Sequence, residues 1–385
     1  MTKVLFLNVT THGHVNPSLG LVDELSKRGV EVVYFSSEEF REKIEAAGAV
    51  YRPYHYDLNI FKHGFDVLVD HGLDIMQDIL KQIQDDSFDA VIHSIAMPFS
   101  KQLADYLMIP AVSMLAVFMG MQDFMKPDKT PLAGKFKTLN DAYLLEAKKI
   151  EEALAVQMPP RFFDLIFNVE PLNIVFTTDY FMPENERAFF DEKYLLVGAD
   201  RYQRLEDTND FPIERLKAAK HVLYVSFGTI FGDFAKDIYQ KVFDAFGDSE
   251  YLVVLAAHHV GLEALTVPDN FIVQEYIPQN EVLNYADVAI THNGLNSMND
   301  LILNEVPFVS LPMGSDQPAL ADRLVELHAD IRLDYQQVDS AQLKNAVENV
   351  QTDPDYLNNL KQIKQSFLTA GGYKKAVDAI EDYLA

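Results

Sequence analysis

The chain has 385 residues, 48% of them hydrophobic, with 58 Asp plus Glu against 32 Lys plus Arg and a formal net charge of -26. That length exceeds one ordinary core and predicts two α/β domains, the apolar share argues against disorder, and the acidic balance argues against a nucleic-acid partner. Cysteine is absent, which rules out disulfides; the opening MTKVLFLNV reads as a strand before a polar turn rather than a signal sequence, no stretch reads as a membrane span, and the expected compartment is the cytoplasm.

KVLFLNV is the first strand, and a helix follows it because Leu19, Val22 and Leu25 recur at helical spacing. Asn16-Pro17 suits the helix entry, where proline lacks only an N–H that an early turn need not donate. Val30 to Phe35 is the next buried strand, a βαβ start without the glycine-rich dinucleotide fingerprint. His14 falls just past the first strand's carboxyl end, where a neutral imidazole can take up a proton near pH 7; a turn histidine can equally be a structural hydrogen-bonding group.

Glu38 to Ala47 reads as a helix, and Gly48 to Tyr56 leads into an aromatic-rich region. There Tyr51, Tyr54, Tyr56, Phe61 and Phe65 either line an apolar ligand or simply pack. Ile75 to Ile83 is helical, and Phe88 to Ala96 is a strand whose alternation sends His93 and Ser94 to opposite faces. Leu103 to Met108 ends a helix and Pro110 to Ala116 enters a strand. Met114, Phe118, Met119, Met121, Phe124 and Met125 then supply adaptable apolar surface, as ligand wall or as core filling. Pro127 to Pro131 is a loop before helical material at Leu139 to Val156. Leu172 to Thr178 and Tyr194 to Gly198 are the last strands of the first domain, and the polar run Asp200 to Asp210 reads as a connector.

His221 to Thr229 opens the second domain, with Ser226, Gly228 and Thr229 at a strand-to-helix transition. Tyr251 to Ala257 and Phe271 to Tyr276 continue its sheet. Val288 to Thr291 is a buried strand and Leu295 to Asn304 the helix after it, so His292, Gly294, Asn296 and Ser297 share a turn whose free N–H groups and helix dipole favour an anion. The short strand Phe308 to Pro312 delivers Asp316 and Gln317 to a carboxyl-side crevice of the kind where open α/β sheets bind ligands. A pyrophosphate and a polyhydroxylated ring suit these groups; an ordinary αβ turn with a polar rim is the other reading. Ala319 to Leu327 and Ser340 to Val350 are helices flanking the edge segment ADIRLD, and GGYKKAVDAIEDYL ends the chain as an amphipathic helix. No metal-ligand cluster is recognisable.

The stretch Tyr276-Ile277-Pro278-Gln279, then THNGLNSMND, Val306-Pro307 and Asp316-Gln317, resembles the donor signature of the inverting UDP-sugar-dependent glycosyltransferases of the macrolide and flavonoid type, related to plant and animal UDP-glycosyltransferases. GHVNP near the start resembles the same family's amino-terminal motif, and the likeness spans nearly the whole chain. It implies two Rossmann-like α/β domains facing across a crevice, the glycosyltransferase B type. The first, 1–205, would bind the acceptor and be joined by the C-terminal helix 372–385; the second, 211–371, would bind the UDP-sugar. No cofactor is implied; the partners are a UDP-sugar co-substrate, UDP-glucose before others, and a small hydrophobic acceptor, and the expected assembly is a monomer or weak dimer.

By the same resemblance His14 is the general base, and His12 a loop residue on the acceptor side. Ser94 stands where an aspartate usually orients that base. Tyr276 would stack on uracil, the Ile277 backbone read the base edge, and Gln279 support the ribose. Ser226, Gly228 and Thr229 would lie on the donor side, and His292, with Asn296, Ser297 and the turn amides, would hold the diphosphate. Asp300 takes the place of a ribose-binding Glu and would reach the ribose through a water, while Asp316 and Gln317 would hold the sugar. Asn293 and Glu305 stand where glycines are usual. A catalytically weakened binding relative and a dinucleotide oxidoreductase are the alternatives.

Overall fold

The computed structural model describes residues 2–59, 63–116, 118–120, 135–206, 211–228, 236–257 and 266–385. The chain divides into two compact units: Met1–Asp179 with Glu184–Tyr202 and Ala370–Ala385, and Gln203–Thr369 with Tyr180–Pro183. The tetrapeptide Tyr180–Pro183 goes with the second unit because Arg323 donates to the carbonyls of Tyr180 and Phe181, each at 2.9 Å, and the Phe181 ring meets Phe367 edge-on.

The first unit holds β1 (Lys3–Leu7), β2 (Glu31–Ser36), β3 (Val50–Pro53), β4 (Ala90–Ser94), β5 (Ala111–Leu115), β6 (Leu172–Val175) and β7 (Tyr194–Leu196). They form one sheet in the order β3-β2-β1-β4-β5-β6-β7, every adjacent pair parallel. A parallel sheet is covered on both faces, which is why its central strands read as unbroken apolar runs. Leu5, Leu7, Val33, Phe35 and Val91 face the helices Gly72–Gln82 and Lys135–Leu154. Val4, Phe6, Val32, Tyr34 and Ile92 face the helix His12–Lys27 through Val15, Leu19, Val22 and Leu25, and the helix Gly372–Leu384 through Ala376, Val377 and Ile380. Those two helices lie so close that a Cβ on Gly20 would overlap the Tyr373 ring. Arg28 bonds Asp378 and Glu381 over the same seam, at 2.5 and 2.8 Å.

Two expectations are corrected here. Pro17 is inside the first helix, not at its entry: the helix starts at His12, where the Thr11 carbonyl accepts from the N–H of His14 and Val15. Pro17 cannot donate to the Gly13 carbonyl, and the burial of Val15, Leu19 and Val22 on the sheet offsets that loss. His12, expected in a loop, is the first helical residue, and its ring meets buried Phe40 edge-on at 4.9 Å. The segment Glu38 to Ala47 is a short 3-10 turn, Glu38–Phe40, running into the helix Arg41–Ala46.

The second unit holds β8 (His221–Ser226), β9 (Tyr251–Ala256), β10 (Phe271–Gln274), β11 (Val288–Thr291), β12 (Phe308–Ser310) and β13 (Ile331–Arg332), a parallel sheet ordered β10-β9-β8-β11-β12-β13. Leu223, Val225, Val253, Leu255, Ile290 and Val309 pack with Ile238, Val242 and Phe246 of the helix Lys236–Phe246, and with Leu343 and Val347 of the helix Ser340–Thr352. Asn293 and Glu305, at the two positions where the resemblance expects glycine, both have positive φ, 64° and 59°. Asparagine tolerates that left-handed conformation; glutamate pays for it sterically. Glu305 is compensated by Lys364 at 2.6 Å and Lys361 at 3.7 Å, both on the helix Pro354–Thr369.

Candidate functional site

Each sheet has one place where the strand order reverses, and ligands of open α/β sheets gather outside the strands' carboxyl ends there. In the first unit that place lies between β1 and β4. The helix leaving β1 carries His14 in its first turn, and β4 ends on Ser94. His14 Nδ1 lies 3.0 Å from Ser94 Oγ, and the Ala96 N–H also donates to that hydroxyl at 3.3 Å. A hydroxyl has two lone pairs and one proton, so Ser94 can accept from a protonated Nδ1 while also accepting from Ala96. That tautomer leaves Nε2 bare as the basic nitrogen. Burial pushes the His14 pKa down to about 4, which keeps the ring neutral, able to accept a proton, at pH 7.

The main chain of His14 is held as firmly as its ring. Buried Asn8, directly after β1, donates through Nδ2 to the His14 carbonyl at 3.0 Å and to the Tyr34 hydroxyl at 2.7 Å, and its Oδ1 accepts from the Val9 N–H at 2.8 Å. Ser18 joins the group, 2.8 Å from the Tyr34 hydroxyl and donating to the Val15 carbonyl at 2.7 Å. Asn8 has a sequence signal, a polar residue ending an apolar strand; Tyr34 and Ser18 look like ordinary strand and helix positions. His93, on the other face of β4, is fully buried, with Nδ1 2.9 Å from the Ser94 carbonyl oxygen and Nε2 3.3 Å from Glu170 Oε1. Tyr54 and Phe65 pack against Phe35 and Phe162, Tyr56 lies against His71, and Tyr51 lies beneath Arg41. Met114, Phe118 and Met119 are buried. Phe61, Met121, Phe124, Met125 and Pro127 to Pro131 lie outside the described residues.

In the second unit the order reverses between β8 and β11. Ser226 ends β8, and its carbonyl accepts from the His292 N–H at 3.2 Å just past β11. The His292 ring is wedged between two glycines: a Cβ on either Gly228 or Gly294 would come within 2.6 Å of Nε2. Gly228 has φ of 73° as well, so it is required twice over. Burial lowers the His292 pKa to about 4, making the ring a neutral hydrogen-bonding group. Asn296 and Ser297 occupy the first turn of the helix Leu295–Asn304, partly exposed. Thr229 lies outside the described residues.

Gln279 and Asp300 form part of a neighbouring network. Buried Tyr224 donates to Gln279 Oε1 at 3.0 Å, and Gln279 Nε2 donates to Asp300 Oδ2 at 2.6 Å. Arg204 donates to the same Asp300 oxygen at 2.5 Å and to Asn280 Oδ1 at 3.1 Å, while Glu206 accepts from the Asn280 N–H at 3.0 Å. Residues 203–206 of the run read as a plain connector therefore fold onto the second unit, a role hidden because charged residues in a polar run look solvated. Gln279 Nε2 is engaged inside the protein, where it holds Asp300. Tyr276 is 42% exposed on the loop after β10 and Ile277 is buried.

Asp316 stands at the N-cap position of the helix Gln317–Glu326 without a side-chain cap hydrogen bond, and burial raises its pKa to about 6. Gln317 Oε1 accepts from the N–H groups of Met313 and Gly314 at 2.8 and 3.2 Å. That oxygen shapes the loop. Among the described residues no group of three or more His, Cys, Asp or Glu could hold a metal ion, and no helix is long and apolar enough to cross a membrane.

Residues 212–367 match the family model described as UDP-glucoronosyl and UDP-glucosyl transferase. Over its full length the chain is 35% identical to the uncharacterized UDP-glucosyltransferase YdhE of Bacillus subtilis (strain 168), covering 99% of that protein. It is also similar to the solved glycotransferase of kitacinnamycin, with a TM-score of 0.83 and 23% identity over 100% of this chain and 99% of that one. A calicheamicin glycosyltransferase structure aligns with a TM-score of 0.76 and 25% identity, covering 100% and 98%.

Proposed function

The chain belongs to the UDP-glycosyltransferase family and has the glycosyltransferase B fold, and from that premise we propose that it moves a hexose, glucose first, from a UDP-sugar to a hydroxyl of a small hydrophobic acceptor such as a phenol, flavonoid or macrolide. The observation that carries the chemistry is His14 at the switch point of the first sheet, neutral through burial and 3.0 Å from Ser94. The first unit takes the acceptor, and the second takes the donor.

His14 Nε2 accepts the acceptor's O–H proton as the oxygen attacks the sugar's anomeric carbon. The new C–O bond forms on the face opposite the breaking bond to phosphate, UDP departs with that electron pair, and the configuration inverts. Proton removal and alignment lower the barrier, and donors around His292, Asn296 and Ser297 meet the charge growing on the diphosphate. The wedge of Gly228 and Gly294 supports that role for His292, since it fixes the ring beside the helix N-terminus. Ser226 and Gly228 border the same anion, Tyr276 and the Ile277 backbone take the uracil, and Asp300, steadied by Gln279, takes the ribose. Asp316 and the Gln317 amide take the hexose hydroxyls.

We also place the protein in the cytoplasm as a monomer or weak dimer, without a nucleic-acid partner, in keeping with its charge of -26 and lack of cysteine. The oxidoreductase alternative falls with the family assignment. Mass spectrometry of mixtures containing UDP-glucose and a panel of phenols, flavonoids and macrolides tests the reaction: a product heavier by one hexose is expected. UDP binding with no product across the panel would turn the reading toward a weakened binding relative.

A further inference from the structure

Behind Ser94 lies a buried pair that the proton transfer does not use. Alternation along β4 places Ser94 on the face of the helix His12–Lys27 and His93 on the opposite face, where Glu170 waits. Glu170 is 4% exposed and His93 fully buried. A buried carboxylate needs a partner. Glu170 Oε1 has His93 Nε2 at 3.3 Å; Oε2 has Lys101 Nζ no nearer than 3.9 Å, and Lys101 also turns to Asp105 at 3.6 Å. Tyr383 is a further titratable group close enough to interact with Glu170 and Lys101. The main chain of Glu170 is fixed as well: its N–H donates to Asn173 Oδ1 at 2.9 Å, and its carbonyl accepts from Asn173 Nδ2 at 2.6 Å.

Hydrogen-bond chemistry decides where the protons are. A carbonyl oxygen only accepts, so His93 Nδ1, 2.9 Å from the Ser94 carbonyl, carries a hydrogen. The other ring nitrogen then faces a carboxyl oxygen, and two bare acceptors would repel. One further proton must bridge Nε2 and Oε1. We propose that His93 and Glu170 share this proton as a buried pair and act as positioning residues, fixing the Ser94 peptide so that its hydroxyl stays on His14 Nδ1. The carboxylate missing from position 94 is thus present one layer back, on the far face of the same strand. This assignment rests on His14 as the base.

Nitrogen-15 NMR of histidine-labelled wild-type protein reads the pair directly: His93 should show a protonated Nδ1 and a hydrogen-bonded proton between Nε2 and Glu170. A bare Nε2 with no bridging proton would overturn the proposal without any variant. Glu170→Leu removes the partner of Nε2, so kcat should fall about tenfold, the loss of one charge-assisted hydrogen bond, while KM for UDP-glucose stays the same; Glu170→Gln, whose amide N–H can donate to Nε2, should keep most of the activity. An unchanged kcat in folded Glu170→Leu would overturn the positioning role, and so would equal changes in kcat and KM. His14→Ala separates the two levels: full activity there would refute the base assignment, while the NMR signature would still report the pair.

Discussion

Replacing Ser94 by aspartate puts a carboxylate where a hydroxyl now lies 3.0 Å from His14 Nδ1. His14 is a weak base because burial holds its pKa at about 4 with no charge opposing that burial. An adjacent carboxylate raises a histidine pKa by about 1–3, bringing His14 to roughly 5–7. If about half of a difference of ~2 is expressed in the transition state, transfer speeds up about tenfold, or ~1.4 kcal/mol. The site can accept the charge, since the Ala96 N–H that reaches Ser94 Oγ can donate to the new carboxylate. The assay is kcat/KM for transfer to a phenol and to a matched aliphatic alcohol from pH 4 to 9. In wild type the acid limb should fall near pH 4, below which His14 is protonated; in Ser94→Asp it should move up, with the larger gain for the less acidic alcohol. A folded Ser94→Asp enzyme with wild-type UDP affinity and an unmoved acid limb would refute the argument that position 94 governs His14.

At the donor turn, His292→Ala should weaken UDP binding about tenfold or more in isothermal titration, the loss of a hydrogen bond to a charged group. Gly294→Ala, whose Cβ would drive the same ring aside, should weaken it in the same direction; unchanged affinity in both would sink the assignment. Glu305→Ala should lower the melting temperature more than Glu305→Gly, because both lose the lysine pairs but only alanine keeps the left-handed strain of about 1 kcal/mol; the reverse order would contradict it. Asp330 is buried, accepts from Ser310 and has its pKa raised by burial to about 7. Raised above its unfolded value near 3.8, this carboxyl costs stability once pH exceeds 7 and relieves that cost as pH falls toward 4. Asp330→Asn should therefore raise the melting temperature at pH 8 and lose that gain by pH 4; an equal effect at both would show that ionisation is not its cause.

The parallel sheets were legible because strands buried on both faces leave unbroken apolar runs, and the turns after them were legible because glycines and small polar residues cluster there. Thus His14 and His292 could be placed at such turns, while Ser94 was named through the family resemblance, and His14 and Ser94 prove to lie beside one another. What escaped depends on contacts between segments remote in sequence. Nothing local distinguishes Glu170 from any other acid, and its partner His93 lies 77 positions away. Arg204 and Glu206 sat in a run whose composition matches a solvated linker, yet they close on Asp300 and Asn280. Pro17 misplaced the helix start because an apolar face outweighed one missing hydrogen bond. Glu305 appeared as a departure until its two lysines showed how a side chain survives at a glycine's backbone angle.

The seam between Gly20 and Tyr373 has a consequence for how the chain is made. Domains ordinarily fold as they leave the ribosome, amino-terminal first, but here the first sheet emerges without the helix that covers part of its outer layer. Val377 and Ile380, which bury the apolar stripe around Leu19 and Val22, are translated only after the whole second sheet. That flank of the first unit can be covered only after residues 372–384 have been made, so its outer layer closes later than the synthesis of the second sheet.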